Sequence, residues 1–126
     1  MVANVRKQSP LQLGVPLVLV MGHERCGAVD AALTVVEKNA NFPGSIGQMI
    51  EPIVPAALQA KSAAPANAAR NDVLDMAVRE NVKRVVTRLR NASEPILMDP
   101  LKAGKLKIVG ARYDLNDGSV DFFMEG

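Results

Sequence analysis

The hydrophobic residues of the chain first gather in a continuous apolar run from Val15 to Met21, which Gly22 ends. A short run of β-branched and aliphatic residues is typical of a strand that is buried on both faces, as in a parallel sheet. After this run, apolar residues recur at helical spacing over residues 27–37, and residues 39–47 contain the Asn, Pro and Gly of a loop. The pattern therefore predicts a buried strand, a helix that follows it closely, and a loop.

The middle of the chain is mainly helical in its periodicity. Apolar residues return to helical spacing over residues 46–58, where Pro52 and Pro55 predict a kinked helix or one in two pieces. Residues 62–71 are rich in Ala, Pro and Asn and suit either a linker or the opening of a helix. From there to Arg90, apolar residues recur three or four positions apart, which predicts a long amphipathic helix.

The last third of the chain contains two further strands. Pro95 opens a short helix that ends near Gly104, and residues 106–113 and 120–124 have the composition of strands. The turn residues Asn116-Asp117-Gly118 lie between these strands and predict that they pair as a hairpin.

Together these elements indicate an α/β domain with a small, mostly parallel sheet flanked by helices, because long helices separate the strands. A length of 126 residues suits one domain over residues 1–126. The segment 1–12 is atypical, since it has no sustained helical or strand period.

Composition and charge exclude several classes of function. The net charge is only +2, and with one Tyr, three Phe and no Trp the chain lacks both the basic surface and the aromatic platform of a nucleic-acid-binding protein. The longest apolar run is too short to span a membrane. Because the N-terminus lacks the apolar stretch of a signal peptide and a single Cys cannot form an intrachain disulfide, we expect a cytoplasmic protein.

Candidate chemistry is concentrated at His23 and Cys26, the only His and the only Cys of the chain. They lie where the first strand ends and a helix begins, which is where open α/β sheets bind ligands. An imidazole and a thiolate at H-x-x-C spacing can converge on zinc. Two other interpretations remain open: Cys26 as a small buried residue, and a helix N-terminus beside Arg25 that holds bicarbonate or phosphate.

Residues 17–29 closely resemble the second zinc motif of the β-class carbonic anhydrases, in which a hydrophobic strand runs into Gly-His-x-x-Cys-Gly and then a helix. The resemblance covers residues 13 to about 124 and includes four further segments: Glu80-Asn81-Val82, Pro95, residues 104–115 and Gly118-Ser119-Val120. It implies a β-carbonic-anhydrase-like α/β fold. It also implies reversible hydration of carbon dioxide to bicarbonate at a zinc ion held by two Cys and one His, of which His23 and Cys26 match two.

The family's first zinc motif, Cys-x-Asp-x-Arg, has no counterpart here. The chain has no Cys before Cys26 and no Asp before Asp30, so relative to the family it is truncated at the N-terminus. Because two ligands bind zinc more weakly than three or four, we expect this chain alone to be impaired or inactive as a carbonic anhydrase. One alternative is a non-catalytic relative whose role is oligomerisation or anion binding, and another is that the sequence is a fragment that results from a late start codon or a trimmed gene.

The same truncation predicts a homo-oligomer. Without the strand that carries the first motif, one edge of the strand at residues 15–21 is exposed, and a long apolar edge invites pairing with another chain. Two chains about a two-fold axis would also bring together two copies each of His23 and Cys26, which makes a structural Cys2His2 zinc site. Arg112 and Tyr113, at the end of the second strand, are expected to pack and hydrogen-bond within the sheet.

Overall fold

The computed structural model describes residues 14–125, and the predicted elements are found there in the predicted order. In sequence they are β1 (Leu17–His23), α1 (Gly27–Lys38), α2 (Gly44–Ile50), a 3-10 turn (Glu51–Ile53), α3 (Val54–Ala63), α4 (Arg70–Arg90), α5 (Pro95–Lys102), β2 (Lys107–Tyr113) and β3 (Val120–Met124). The helix that Pro52 and Pro55 were expected to interrupt is divided into α2, the 3-10 turn and α3, because proline lacks the backbone N–H that a continuous helix needs.

The sheet has the strand order β1-β2-β3. β1 and β2 are parallel and in register from Leu17 opposite Lys107 to His23 opposite Tyr113. β2 and β3 are antiparallel, as predicted for a hairpin. The small α/β sheet is therefore confirmed, although only one of its two described pairings is parallel. Within residues 14–125, no strand lies on the outer side of β1.

Helix α4 packs directly on β1 and β2, and two glycines allow this close approach. A Cβ atom at Gly22 would lie 2.8 Å from Val78 Cγ1 and 2.9 Å from Val82 Cγ2, and one at Gly110 would lie 2.8 Å from Val82 Cγ1. Around this contact, one cluster of buried side chains joins the sheet to α4 and α5: Val18, Val82, Val86, Leu97, Leu106 and Ile108. A second cluster joins α1, α2, α3 and α4 and includes Leu33, Ile50, Ala57, Leu74 and Val78.

The prediction that the first strand is buried on both faces is wrong. Val18 is buried, but Leu17, Leu19 and Met21 are 48%, 38% and 50% exposed. Side chains alternate between the two faces of a strand, and α4 covers only the face that carries Val18 and Gly22. We call the other side of the sheet the open face; its exposed apolar residues on the two outer strands are Leu17, Leu19, Met21, Val120 and Phe122.

None of the helices in the described part of the chain is long and apolar enough to cross a membrane.

Candidate metal centre at the end of the first strand

His23 and Cys26 lie on either side of a tight turn that joins β1 to α1. His23 is the last residue of β1, and Cys26 is the residue before α1, where its carbonyl accepts a hydrogen bond from the backbone N–H of Asp30 at 2.9 Å. Between them, Arg25 has a φ of 53°, in the left-handed region that few residues other than glycine adopt. We call residues 22–27 the metal loop.

The two candidate ligands differ in their surroundings. His23 is exposed, and its Nδ1 donates to the backbone carbonyl of Glu24 at 3.0 Å. In a neutral imidazole this bond leaves the lone pair on Nε2, which is the arrangement in which histidine ligates a metal. Cys26 is half-buried and packs against the cluster around α1. One soft and one borderline donor at the same loop suit zinc.

The donors of this chain do not complete a zinc site. Structural zinc sites have four protein ligands and catalytic sites have three. Among residues 14–125 there is no group of three or more His, Cys, Asp or Glu side chains that could hold a metal ion. The nearby carboxylates have other partners: Asp30 pairs with Arg70 at 2.8 Å, and Glu24 accepts a hydrogen bond from the backbone N–H of Asn116 at 3.0 Å. By themselves, His23 and Cys26 are fewer donors than the three or four protein ligands of a zinc site.

Sequence analysis missed a charged cluster beside the metal loop. Arg112, at the end of β2, is only 15% exposed and is hydrogen-bonded to Asp75 of α4. It also faces Asp114 at 3.6 Å and Glu24 at 3.8 Å. Arg112 was expected to hydrogen-bond within the sheet, but its side chain bonds to Asp75 of α4, outside the sheet, and its charged partners come from three separate parts of the chain. The feature that could have predicted this cluster was the parallel pairing of β1 and β2, which brings the ends of both strands to one edge of the sheet.

The turn between β2 and β3 is held by its own carboxylates. Oδ1 of Asp114 accepts hydrogen bonds from the backbone N–H groups of Asn116 at 2.8 Å and Asp117 at 3.3 Å. The pKa of Asp114 is lowered, first by the N–H of Asn116 and further by the N–H of Asp117, the Glu24 side chain and the charge of Arg112. This ordered turn, residues 114–119, lies against the metal loop.

A cavity of about 260 Å³ opens between the metal loop and α4. Glu24, Arg25 and Arg112 line it together with α4 residues between positions 71 and 75, among them Asp72 and Asp75. Its wall therefore carries three carboxylates and two guanidinium groups. Because carboxylates outnumber guanidinium groups, this wall does not favour the binding of a simple anion such as bicarbonate. The nearness of Arg25 to the start of α1 does not change this balance of charge.

Comparison with known protein sequences relates this arrangement to one enzyme family. Residues 9–120 match the carbonic anhydrase family. The chain is 33% identical over 109 residues to a carbonic anhydrase of Mycolicibacterium smegmatis, which covers 86% of this chain and 50% of that protein. It is 34% identical over 107 residues to carbonic anhydrase 2 of Mycobacterium tuberculosis, which covers 84% of this chain and 48% of that protein. The chain thus spans about half the length of the curated relatives it matches.

Solved structures of β-carbonic anhydrases have the same fold. A tetrameric β-carbonic anhydrase from Sordaria macrospora superposes with a TM-score of 0.82 at 17% identity, covering 96% of this chain and 58% of that one. The β-carbonic anhydrase CafA of Aspergillus fumigatus gives 0.78 at 22% identity, with coverages of 96% and 54%. At such identities the likeness concerns the fold alone, and the β-carbonic-anhydrase-like architecture predicted from the sequence is confirmed.

Proposed function

Because the chain belongs to the β-carbonic anhydrase family, we propose that it is a carbonic-anhydrase-like protein that supplies His23 and Cys26 to a zinc site whose remaining ligands lie outside these 126 residues. The reaction of a completed site in this family is the reversible hydration of carbon dioxide to bicarbonate. The observation that carries the proposal is the position of the two donors, at the junction of β1 and α1 inside the matched region. Alone, this chain is expected to be impaired or inactive.

The donor count supports the need for ligands from outside these 126 residues. The whole sequence contains one His and one Cys, so this chain has no third ligand of either type. Glu24 and Asp30 are engaged in contacts within the protein, and their recruitment would break those contacts. A two-ligand site binds zinc weakly, and the remaining ligands of a stable site would therefore come from outside these 126 residues.

Elemental analysis of purified protein tests this proposal. After equilibration with zinc, we expect the wild type to retain only weakly bound metal and Cys26→Ser to retain less, while Ser62→Ala, an exposed substitution in α3, matches the wild type. Carbon dioxide hydration by the zinc-containing wild type is expected to remain near that of Cys26→Ser. Equal zinc binding by the wild type and Cys26→Ser would contradict the proposed metal role, and hydration far above the Cys26→Ser level would contradict the need for ligands from outside these 126 residues.

The open face of the sheet favours a second candidate, a non-catalytic oligomer with a shared structural zinc. Exposed apolar side chains on β1 and the free outer side of β1 within the described residues suit contact with a second copy. Two copies would supply two His and two Cys, the four ligands of a closed tetrahedral site. The solved relative from Sordaria macrospora is tetrameric, which supports oligomerisation in general.

Stoichiometry distinguishes the two candidates. A shared structural site predicts one zinc per two chains, together with a dimer in sedimentation velocity that dissociates when zinc is removed. A site completed by a different polypeptide predicts no zinc-dependent dimer. A monomer at micromolar concentration, with and without zinc, would exclude the shared site.

A further inference from the structure

The backbone conformation of the metal loop requires support from outside the loop. Arg25 has a left-handed φ of 53°, which is unfavourable for a residue with a Cβ atom and persists only where other contacts hold it. Because Arg25 lies between the two candidate ligands, any relaxation at this residue changes the separation of His23 and Cys26. The contacts that hold the loop therefore decide whether the two donors can converge.

Those contacts join the metal loop to the ordered turn at residues 114–119. The backbone N–H of Glu24 donates to the carbonyl of Tyr113 at 3.1 Å, and the backbone N–H of Asn116 donates to Glu24 Oε1 at 3.0 Å. The guanidinium of Arg25 reaches Asn116 Oδ1 only at 3.4 and 3.5 Å. The Glu24 side chain is 13% exposed, so its carboxylate provides the best-shielded of the side-chain contacts.

Both oxygens of the Glu24 carboxylate have partners other than the candidate ligands. Oε1 accepts from Asn116, and Oε2 faces the guanidinium of Arg112 at 3.8 Å. Arg112 is itself fixed by Asp75 of α4 and faces Asp114, so the carboxylate of Glu24 is held against an anchored charge. These contacts distinguish Glu24 from a zinc ligand, although it lies next to His23 in the sequence.

We propose that Glu24 is a positioning residue: by accepting the hydrogen bond of the Asn116 N–H, it fixes the metal loop in the conformation that presents the lone pair of His23 Nε2 beside Cys26. The importance of this role for chemistry rests on the proposed function, but the role itself is a property of the metal-free chain. It can therefore be tested even if zinc does not bind.

The single His and single Cys make the test specific, since each gives one signal. In wild-type protein, the hydrogen bond from His23 Nδ1 to the Glu24 carbonyl predicts that the neutral imidazole carries its proton on Nδ1. Long-range 1H–15N NMR at a fixed pH where the ring is neutral reports this tautomer. The rate at which Cys26 reacts with 5,5'-dithiobis(2-nitrobenzoate) reports how often the loop opens.

Two substitutions separate the acceptor from the charge. Glu24→Gln keeps an oxygen acceptor for the Asn116 N–H and is expected to retain the Nδ1–H tautomer and the wild-type thiol rate. Glu24→Ala removes the acceptor, and we expect the Nε2–H tautomer and a thiol rate raised about tenfold, equivalent to about 1.4 kcal/mol. Asp117→Ala is the matched control, because its carboxylate accepts from the Ser119 N–H within the same turn and, among residues 14–125, has no hydrogen bond to the metal loop.

The pattern of outcomes decides the matter. The proposal is supported if Glu24→Gln and Asp117→Ala keep the wild-type His23 tautomer and Cys26 thiol rate while Glu24→Ala changes both. Wild-type tautomer and thiol rate in both Glu24 variants would overturn the proposal. A changed tautomer and a raised thiol rate in both variants would also overturn it, because the effect would then belong to the charge that faces Arg112. If Glu24→Ala does not fold by circular dichroism, Glu24→Met, which keeps the length of the side chain without an acceptor, takes its place. If the zinc measurement contradicts the proposed function, the outcome of this test still stands, because the test uses the metal-free chain.

Discussion

The contact between β1 and α4 yields a sharp prediction, because Gly22 has no space for a side chain. A Cβ atom at this position would lie 2.8 Å from Val78 Cγ1 and 2.9 Å from Val82 Cγ2. Non-bonded carbon atoms prefer separations of about 3.5–4.0 Å, so the Cβ atom of Gly22→Ala is short of a normal contact by at least about 0.6 Å at both valines. Valine in a helix has one strongly preferred rotamer, so these methyl groups cannot rotate away cheaply.

The cost follows from overpacking. Inserting one methyl into a filled core costs typically about 1–3 kcal/mol, while replacing glycine by alanine recovers about 0.4–1 kcal/mol of unfolded-chain entropy where the backbone allows it. Gly22 is not among the glycines with a positive φ, so its backbone accepts alanine. We therefore expect Gly22→Ala to lower the free energy of unfolding by roughly 1–2 kcal/mol.

Urea unfolding followed by far-UV circular dichroism measures this change, with all variants at one protein concentration. Gly27→Ala is the matched control, since a Cβ atom at Gly27 meets nothing within 4 Å and the residue begins α1. The control is expected to keep or slightly raise the wild-type stability. In a Val82→Ala background, the cost of Gly22→Ala should fall, because one of the two clashes is gone. A Gly22→Ala protein as stable as the wild type would refute the close packing of α4 on β1.

Two further predictions concern polar contacts of the sheet. The N–H of Asn116 lowers the pKa of Asp114 in the folded protein. The stability that this carboxylate contributes is therefore present above about pH 4, the pKa of the unfolded chain, and is lost as the pH falls through the lower folded pKa. Asp114→Asn should accordingly flatten the acid limb of a plot of the urea unfolding midpoint against pH. Arg90 donates through Nε and Nη2 to the carbonyl of Ile108 at 3.0 and 2.6 Å, so Arg90→Met should lower the free energy of unfolding by about 1–3 kcal/mol, whereas the exposed control Arg88→Met should change it by less than about 0.5 kcal/mol.

The helices and the hairpin were accessible from the sequence because local rules determine them. Apolar residues three or four apart predicted α4, and the structure begins it at Arg70, close to the expected Asn71. Pro52 and Pro55 predicted the division of the central helix, and Asn116-Asp117-Gly118 predicted the turn before β3. Each of these signals acts within a few residues of the position that it specifies.

The environment of β1 was not accessible in the same way. A continuous apolar run shows that a strand avoids water, but it does not show how many layers cover the strand. Glu24 and Arg112 present the same difficulty, because their proximity depends on the register in which His23 pairs with Tyr113. The position of His23 and Cys26 at a strand–helix junction was predictable, whereas the network that supports the loop depends on contacts between distant parts of the chain.

The alternation of β1 links the proposed zinc site to the open face of the sheet. Residues two apart point to the same side of a strand, so His23 shares the open face with Leu19 and Met21. A chain that covers those apolar residues would therefore also lie beside His23, because Met21 and His23 are neighbours on the same face of the strand. Such a chain could contribute ligands. On this argument, covering the face and completing the site are one event.

Met21→Lys should then reduce both the oligomer mass in sedimentation velocity and the amount of bound zinc. Ile46→Lys, which places the same charge on an exposed apolar position of α2, should change neither. Loss of the oligomer with zinc fully retained would show that the two are independent and that the missing ligands approach from elsewhere.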